Sequence, residues 1–315
     1  MMWTQWVFTA FNVVSLPLYV LIMIVCFKEY KYNHLQRTFY LLIICQGVID
    51  ITVMISYFFF GTIRHSMVLS HFFWTYQSYY VASWCFTHTY VTVILRCFGV
   101  LLLSFQRYLS VCRYSGRLQR LVNESHRWVL PSLQFTVPIL YSIPLLTITD
   151  VSFFAPDLLE VRVDKEKITL ATSMTFAFIT TAFTLCSLSY GALLKFLVRN
   201  RFSNSSSLRR ESRLYVQMLG LFAAFALLFV FNLMQFLFSL YYNSGPVFTM
   251  RSIFPVISAF LSYVNPWMMM FVNVEIRRKI LYSVGLRKTK PSSIARNSTS
   301  KVFTTVDVTR MKPTK

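Results

Sequence analysis

The sequence predicts an all-α integral membrane protein, a seven-transmembrane helix bundle with a short amphipathic helix after the seventh span. Three observations predict it. Hydrophobic residues make up 56% of the 315 and charged residues 13%, a balance too apolar for a soluble domain of this length. The apolar residues fall into seven runs long enough to cross a bilayer. The Lys and Arg residues gather in the segments on one side of those runs, the pattern that orients membrane helices.

The runs cover residues 6–27, 38–60, 79–105, 128–149, 168–194, 214–241 and 253–274. The first is too long for a signal-peptide core, has no basic residues before it and no small-residue cleavage site after it. Lys28, Lys31 and Arg37 follow it as a stop. The fourth carries Pro131, Pro138 and Pro144, which membrane helices tolerate when neighbours satisfy the freed backbone groups. After the seventh run, Ile276, Ile280, Leu281 and Val284 share one helical face, with Arg277, Arg278 and Lys279 beside it. That pattern predicts a short helix on the inner leaflet, in contact with membrane lipids. Residues 1–288 thus form one membrane domain. Residues 289–315, rich in Ser, Thr and Lys, are expected to be a disordered cytoplasmic tail.

Charge sets the orientation. Of 31 Lys and Arg residues, 25 lie in the segments 28–37, 106–127, 195–213 and the tail from 275. Five lie on the opposite side, and Arg96 is inside a span. The N-terminus is therefore expected outside and the tail inside. The same distribution explains the net charge of +20 without nucleic acid, for which there is no motif. The N-x-Ser/Thr sequons at Asn123, Asn204 and Asn297 all fall on the expected inside and are read as chance matches. None of the six cysteines lies in an outer loop, so no external disulfide is expected. Cys85 and His88 share a helix face, but with no third ligand nearby they are read as packing, not as a metal site.

No protease, hydrolase or Walker motif is present, and no internal repeat or Gly-broken helix suggests a transporter. The expectation is a protein that is not an enzyme and holds no cofactor. What remains is a polar set at one depth. At about 1.5 Å per residue, Asp50 lies about 18 Å from the inner end of its span, Arg96 about 16 Å and Asn265 about 14 Å. Asp50 is the only acidic residue inside any span. A carboxylate and a guanidinium buried at matched depth are expected to pair, with Asn265 hydrogen-bonded beside them. Near the outer end of the third run, Tyr80, Trp84 and His88 form an i, i+4, i+8 stripe. With Tyr76 they are candidates for a ligand site, although aromatic stripes at that level also serve as interface belts or packing.

Seven spans, an outside N-terminus, Arg107-Tyr108 at the end of the third run and Asn265-Pro266 in the seventh together resemble the rhodopsin-like G-protein-coupled receptors. The detail is closer to the nematode serpentine chemoreceptors of class V, the Srv type. Three stretches carry this: RCFGVLLLSFQRYLSVC from Arg96 to Cys112, Pro17-Leu-Tyr19, and Phe39-Tyr40 with Gln46 and Asp50. The resemblance runs from about Val13 to Arg278.

It implies a chemosensory receptor that binds an external small ligand, of odorant or pheromone type, and activates a heterotrimeric G protein from the plasma membrane or a sensory cilium. Arg107, flanked by Gln106 and Tyr108, would be the switch arginine that meets the G protein when the sixth span swings out, with basic loops around Arg113, Arg201, Arg209 and Arg210. Asp50 would be the mid-membrane carboxylate, and Asn265-Pro266 the kink of the seventh span.

The sequence also departs from the pattern. Gln106 replaces an acid, Met269 a tyrosine, and the sixth span lacks proline and tryptophan. Arg96 falls where those receptors have a small polar residue of a sodium pocket, so its guanidinium would replace the ion. The alternative expectation is a membrane transporter or channel subunit using the Asp50–Arg96 site.

Overall fold

The computed structural model describes residues 3–32, 37–112, 128–199, 206–241 and 244–283. Among these residues, seven helices are long and apolar enough to cross a membrane. The spans are Trp3–Tyr32, Arg37–Tyr57, Ala82–Cys112, Val129–Leu146, Lys165–Arg199, Ser206–Leu240 and Ser244–Val272. Most run further than hydropathy alone marks, because a helix continues into the headgroup region where charged residues are tolerated. The third therefore does not end at Phe105 but carries Gln106-Arg107-Tyr108 inside a helix that reaches Cys112.

The third span is the axis of the bundle. It packs on the second, fourth and fifth spans, while the first closes against the second and seventh, and the sixth against the fifth and seventh. Of its most apolar window 72% is buried in protein, against 28% for the first, fourth and fifth spans. The outward sides of those peripheral helices present Val13, Val14, Ile139, Leu140 and Leu188, the composition a lipid-facing surface requires.

Past Tyr57 the second span widens into a π-helical turn, Phe58–Ile63, and ends after Ser66 where Met67 takes a left-handed conformation (φ 62°). A short helix, Ser70–Thr75, and a second π turn, Gln77–Val81, lead into the third span. Between the fourth and fifth spans the chain forms a small hairpin, β1 (Ser152–Phe153) antiparallel to β2 (Val161–Arg162), with Ser152 opposite Arg162. Phe153 and Leu159 are buried beneath it, in one apolar cluster with Phe73, Phe86 and Tyr90. The Phe153 N–H donates to Gln77 Oε1 at 3.1 Å. Lys167 Nζ donates to Asp150 Oδ2 at 2.8 Å and holds that exposed carboxyl below its ordinary range.

After the seventh span, Asn273 caps a last helix, Val274–Ser283. Its side-chain oxygen accepts from the Ile276 N–H at 3.2 Å, satisfying one of the donors a helix start leaves open. Ile276 and Ile280 are buried, and Lys279 Nζ lies 2.6 Å from Glu29 Oε1 at the end of the first span. The apolar face expected to rest on lipid is seated in part against the bundle.

Candidate functional site

Asp50 and Arg96 are 3% and 1% exposed. Arg96 Nε donates to Asp50 Oδ1 at 2.9 Å. The other carboxylate oxygen, Oδ2, accepts from the Tyr19 hydroxyl of the first span at 2.8 Å and from Gln46 Nε2 at 3.3 Å. The Ser262 hydroxyl donates to Oδ1 at 3.3 Å. A carboxylate offers about four acceptor positions, and here each is used. The guanidinium turns its remaining edge to the seventh span. Nη1 donates to Ser258 Oγ at 2.5 Å, and Nη2 to the Ser258 carbonyl at 2.6 Å and to the Ser262 hydroxyl. A buried ion pair offsets its desolvation only when its other donors and acceptors are satisfied in this way. The first, second, third and seventh spans meet at this cluster.

The fourth span joins through Gln134, whose Nε2 donates to Gln46 Oε1 at 3.0 Å. Gly99 makes this bond possible. A Cβ there would collide with Gln46 Oε1 and crowd Gln134 Nε2, so the third span must be bare at that point.

Asn265, expected beside the ion pair, stands elsewhere. Its Oδ1 accepts from Gln217 Nε2 of the sixth span at 3.1 Å. The cause is axial. Asn265 lies three residues, about 4.5 Å, beyond Ser262 along the helix, nearly a turn too far to reach the pair. Ser258 and Ser262, spaced i and i+4, hold that place instead. Pro266 is buried inside a helix that continues to Val272.

Toward the other end of the third span, Arg107 is 5% exposed, with its guanidinium carbon 3.3 Å from the ring centroid of Phe39. Gln106 and Tyr108 beside it are half-buried. An aromatic face attracts a guanidinium through its quadrupole, so Phe39 supplies here a restraint that Gln106, being uncharged, cannot. Arg113, Arg201 and the three sequons lie outside the described residues, as do Val284 and the tail. Arg209 and Arg210 fall within the sixth helix.

At the N-terminal end, a cavity of about 370 Å³ opens between the first, second, third, sixth and seventh spans under β2. Tyr57, Phe60, Phe86, His88, Tyr90 and Phe254 give it aromatic walls, and Thr4, Gln5 and Gln235 line it as well. Of the four aromatic candidates only His88 reaches it. The expected stripe assumes an unbroken helix, but Tyr80 sits in a π turn with φ 67° and the third span starts only at Ala82. Tyr80 is therefore turned to the fourth span, where its hydroxyl donates to the Leu146 carbonyl at 2.6 Å, one of the carbonyls a helix end leaves open. Trp84 is half-buried with its ring centroid 6.1 Å from His88, and Tyr76 is 47% exposed. Among the described residues no cluster of His, Cys, Asp or Glu could hold a metal ion, and no disulfide joins the cysteines.

Residue types alone do not single out Tyr19, Gln46, Gln134, Ser258 or Ser262. Their signal is depth: each lies within a few turns of the charged pair on its own span.

No curated protein matches the chain significantly. The profile described as Serpentine type 7TM GPCR chemoreceptor Srv matches it across residues 8–286, a stretch that contains the cavity's aromatic walls, the mid-membrane cluster and Arg107. The chain belongs to the Srv family of serpentine seven-transmembrane chemoreceptors.

Proposed function

We propose that this chain is a chemosensory receptor that binds a small external molecule in the cavity at its N-terminal end and activates a heterotrimeric G protein at its Arg107 end. The N-terminus then faces outside and the Arg107 end the cytoplasm, in agreement with the lysine and arginine distribution. The plasma membrane or a sensory cilium is the site of action.

One observation carries this reading. Phe254, on the cavity wall, is one turn of the seventh span from Ser258, which Arg96 holds through both its side chain and its carbonyl. A ligand pressing between Tyr57 and Phe254, whose ring centroids are 5.7 Å apart, acts directly on that turn. Displacing it loosens the hold of Arg96 on the seventh span. Asn265-Pro266, about two turns beyond Ser258, lets the lower half of the span follow, and Asn265 carries the movement to Gln217 on the sixth. Arg107 leaves Phe39 and meets the G protein, with Gln106 and Tyr108 flanking it. A ligand that favours the displaced arrangement shifts the population towards it, and ligand and G protein strengthen each other's binding.

The transporter reading fits the geometry less well. A substrate path needs polar groups that a solute can reach, whereas Asp50 and Arg96 are sealed and saturated by protein partners.

The test is nucleotide exchange on a panel of G-protein α subunits, using membranes that hold wild type or Arg107→Ala and are exposed to an odorant and pheromone panel. Exchange that requires both a ligand and Arg107 is the expected result. Surface-delivered protein that instead drives solute flux, lost in Asp50→Asn, would replace the receptor reading.

A further inference from the structure

The buried polar atoms around the cavity say what kind of ligand it takes. His88 Nδ1 lies 2.8 Å from the Trp84 carbonyl. A carbonyl only accepts, so Nδ1 carries the proton and Nε2 of the neutral ring is an acceptor. That Nε2 is buried and has no hydrogen-bond partner among the described residues. The same holds for Gln5 Oε1, a second acceptor, and for the Thr4 hydroxyl, which can act either way. All three residues line the one cavity. Buried polar atoms are ordinarily satisfied, and an exception calls for an explanation. Here three such exceptions surround a space of about 370 Å³, enough for roughly a dozen waters or one small organic molecule.

The rest of the wall narrows the choice. Tyr57, Phe60, Phe86, Tyr90 and Phe254 offer ring faces and edges, which suit an apolar or aromatic body. Half-buried Arg64 lines the cavity as well, while Glu160, the acid on its rim, is exposed to solvent. An ammonium group would meet a like charge inside.

Resting on the reading of this cavity as the ligand site, we infer that the ligand is an uncharged, compact hydroxyl compound of the phenol or aryl-alcohol class. Its O–H donates to His88 Nε2, with Gln5 and Thr4 at the polar end of the cavity. A matched methyl ether has the same body without the donor and leaves His88 Nε2 unsatisfied. A ketone presents an acceptor to the acceptors His88 Nε2 and Gln5 Oε1, and a carboxylate, although its charge would suit Arg64, leaves the same two atoms without a donor.

The experiment is thermal unfolding of the full chain in lipid nanodiscs with 2-phenylethanol and 4-ethylphenol, their methyl ethers, acetophenone and phenylacetate. The hydroxyl compounds are expected to stabilise at concentrations roughly tenfold or more below their ethers, the size of one good hydrogen bond. His88→Phe, which keeps a ring of similar size, is expected to abolish the difference. Gln5→Leu and Thr4→Val, at the start of the first span, are expected to reduce it and keep the test decisive if His88→Phe does not fold. Ethers equal to alcohols, preference for the ketone or the acid, or no stabilisation by any member would overturn the assignment.

The two readings fail separately. Stabilisation by the ketone that is lost on plugging the cavity with Gly61→Leu would leave the cavity as the ligand site and remove the donor rule. Stabilisation by the alcohols without any nucleotide exchange would keep the donor rule and remove the receptor reading.

Discussion

At mid-depth, Asp50 and Arg96 are buried and every acceptor of the carboxylate is taken. Two to three turns nearer the N-terminus, His88 is just as deeply buried, yet its Nε2 has no partner among the described residues. Both groups are buried in protein, so each is strongly coupled to whatever it meets. The difference lies in who supplies the partner. In the cluster the protein supplies all of them, drawn from the first, second, third and seventh spans, and the result is a clasp. In the cavity three polar atoms are left without a partner among the described residues, and on the reading proposed above an incoming molecule would supply it. The two share the seventh span, so filling one bears on the other.

The sharpest way to break this contrast is to unpair the cluster. Asp50→Ala or Arg96→Met alone leaves a buried charge unmatched and is expected to destabilise the protein by about 3–5 kcal/mol, seen as a large fall in thermal unfolding temperature in nanodiscs. Asp50→Leu with Arg96→Met is expected to recover most of that loss, and the exchange of Asp50 and Arg96 for one another some of it. Double mutants no better than the sum of the singles would show that the two residues act through their neighbours and not as a pair.

A smaller effect is expected at Gly99. Gly99→Ala drives its methyl group into Gln46 and Gln134 and is expected to cost about 1–3 kcal/mol. In a Gln46→Ala background the same change is expected to be close to neutral, a coupling that a double-mutant cycle reads directly. Smallest in stability is Phe39→Leu, which removes the ring beneath Arg107. The contact is worth about 1–2 kcal/mol when desolvated, and its loss is expected to raise ligand-free nucleotide exchange by up to roughly tenfold. Unchanged basal exchange would mean that Phe39 only packs.

The seven spans are legible in the sequence because the length of an apolar run is fixed by the bilayer. The approach of Asp50 to Arg96 is legible because a charge at mid-depth has few places to go. Asn265 shows where depth counting stops. An error of a few ångströms in the assumed membrane boundary is nearly a whole turn, and a turn decides between Ser262 and Asn265. The Tyr80 stripe fails for another reason. A π turn with a left-handed tyrosine has no signature in hydrophobic periodicity, and it turns Tyr80 to the fourth span, away from the cavity. Tyr19, Gln46 and Phe39 sit in the stretches that carry the family resemblance. Their partners, Asp50 for the first two and Arg107 for the third, come from other turns or other spans, so only the fold reveals what each one does.

The hairpin over the cavity has a consequence for timing. Its strands are two residues each, one hydrogen bond from Phe153 to Gln77 and the burial of Phe153 and Leu159 among Phe73, Phe86 and Tyr90 hold it to the bundle, and no cysteine bridges it. So short a β-structure is marginal by itself, and opening it requires far less free energy than unfolding the protein. Loop excursions of this kind fall in the nanosecond to millisecond range. On the reading of the cavity as the ligand site, that clock limits how fast a molecule can enter, while its own affinity sets how long it stays. With no disulfide to break, the tempo of the hairpin is expected to be the same in a reducing environment.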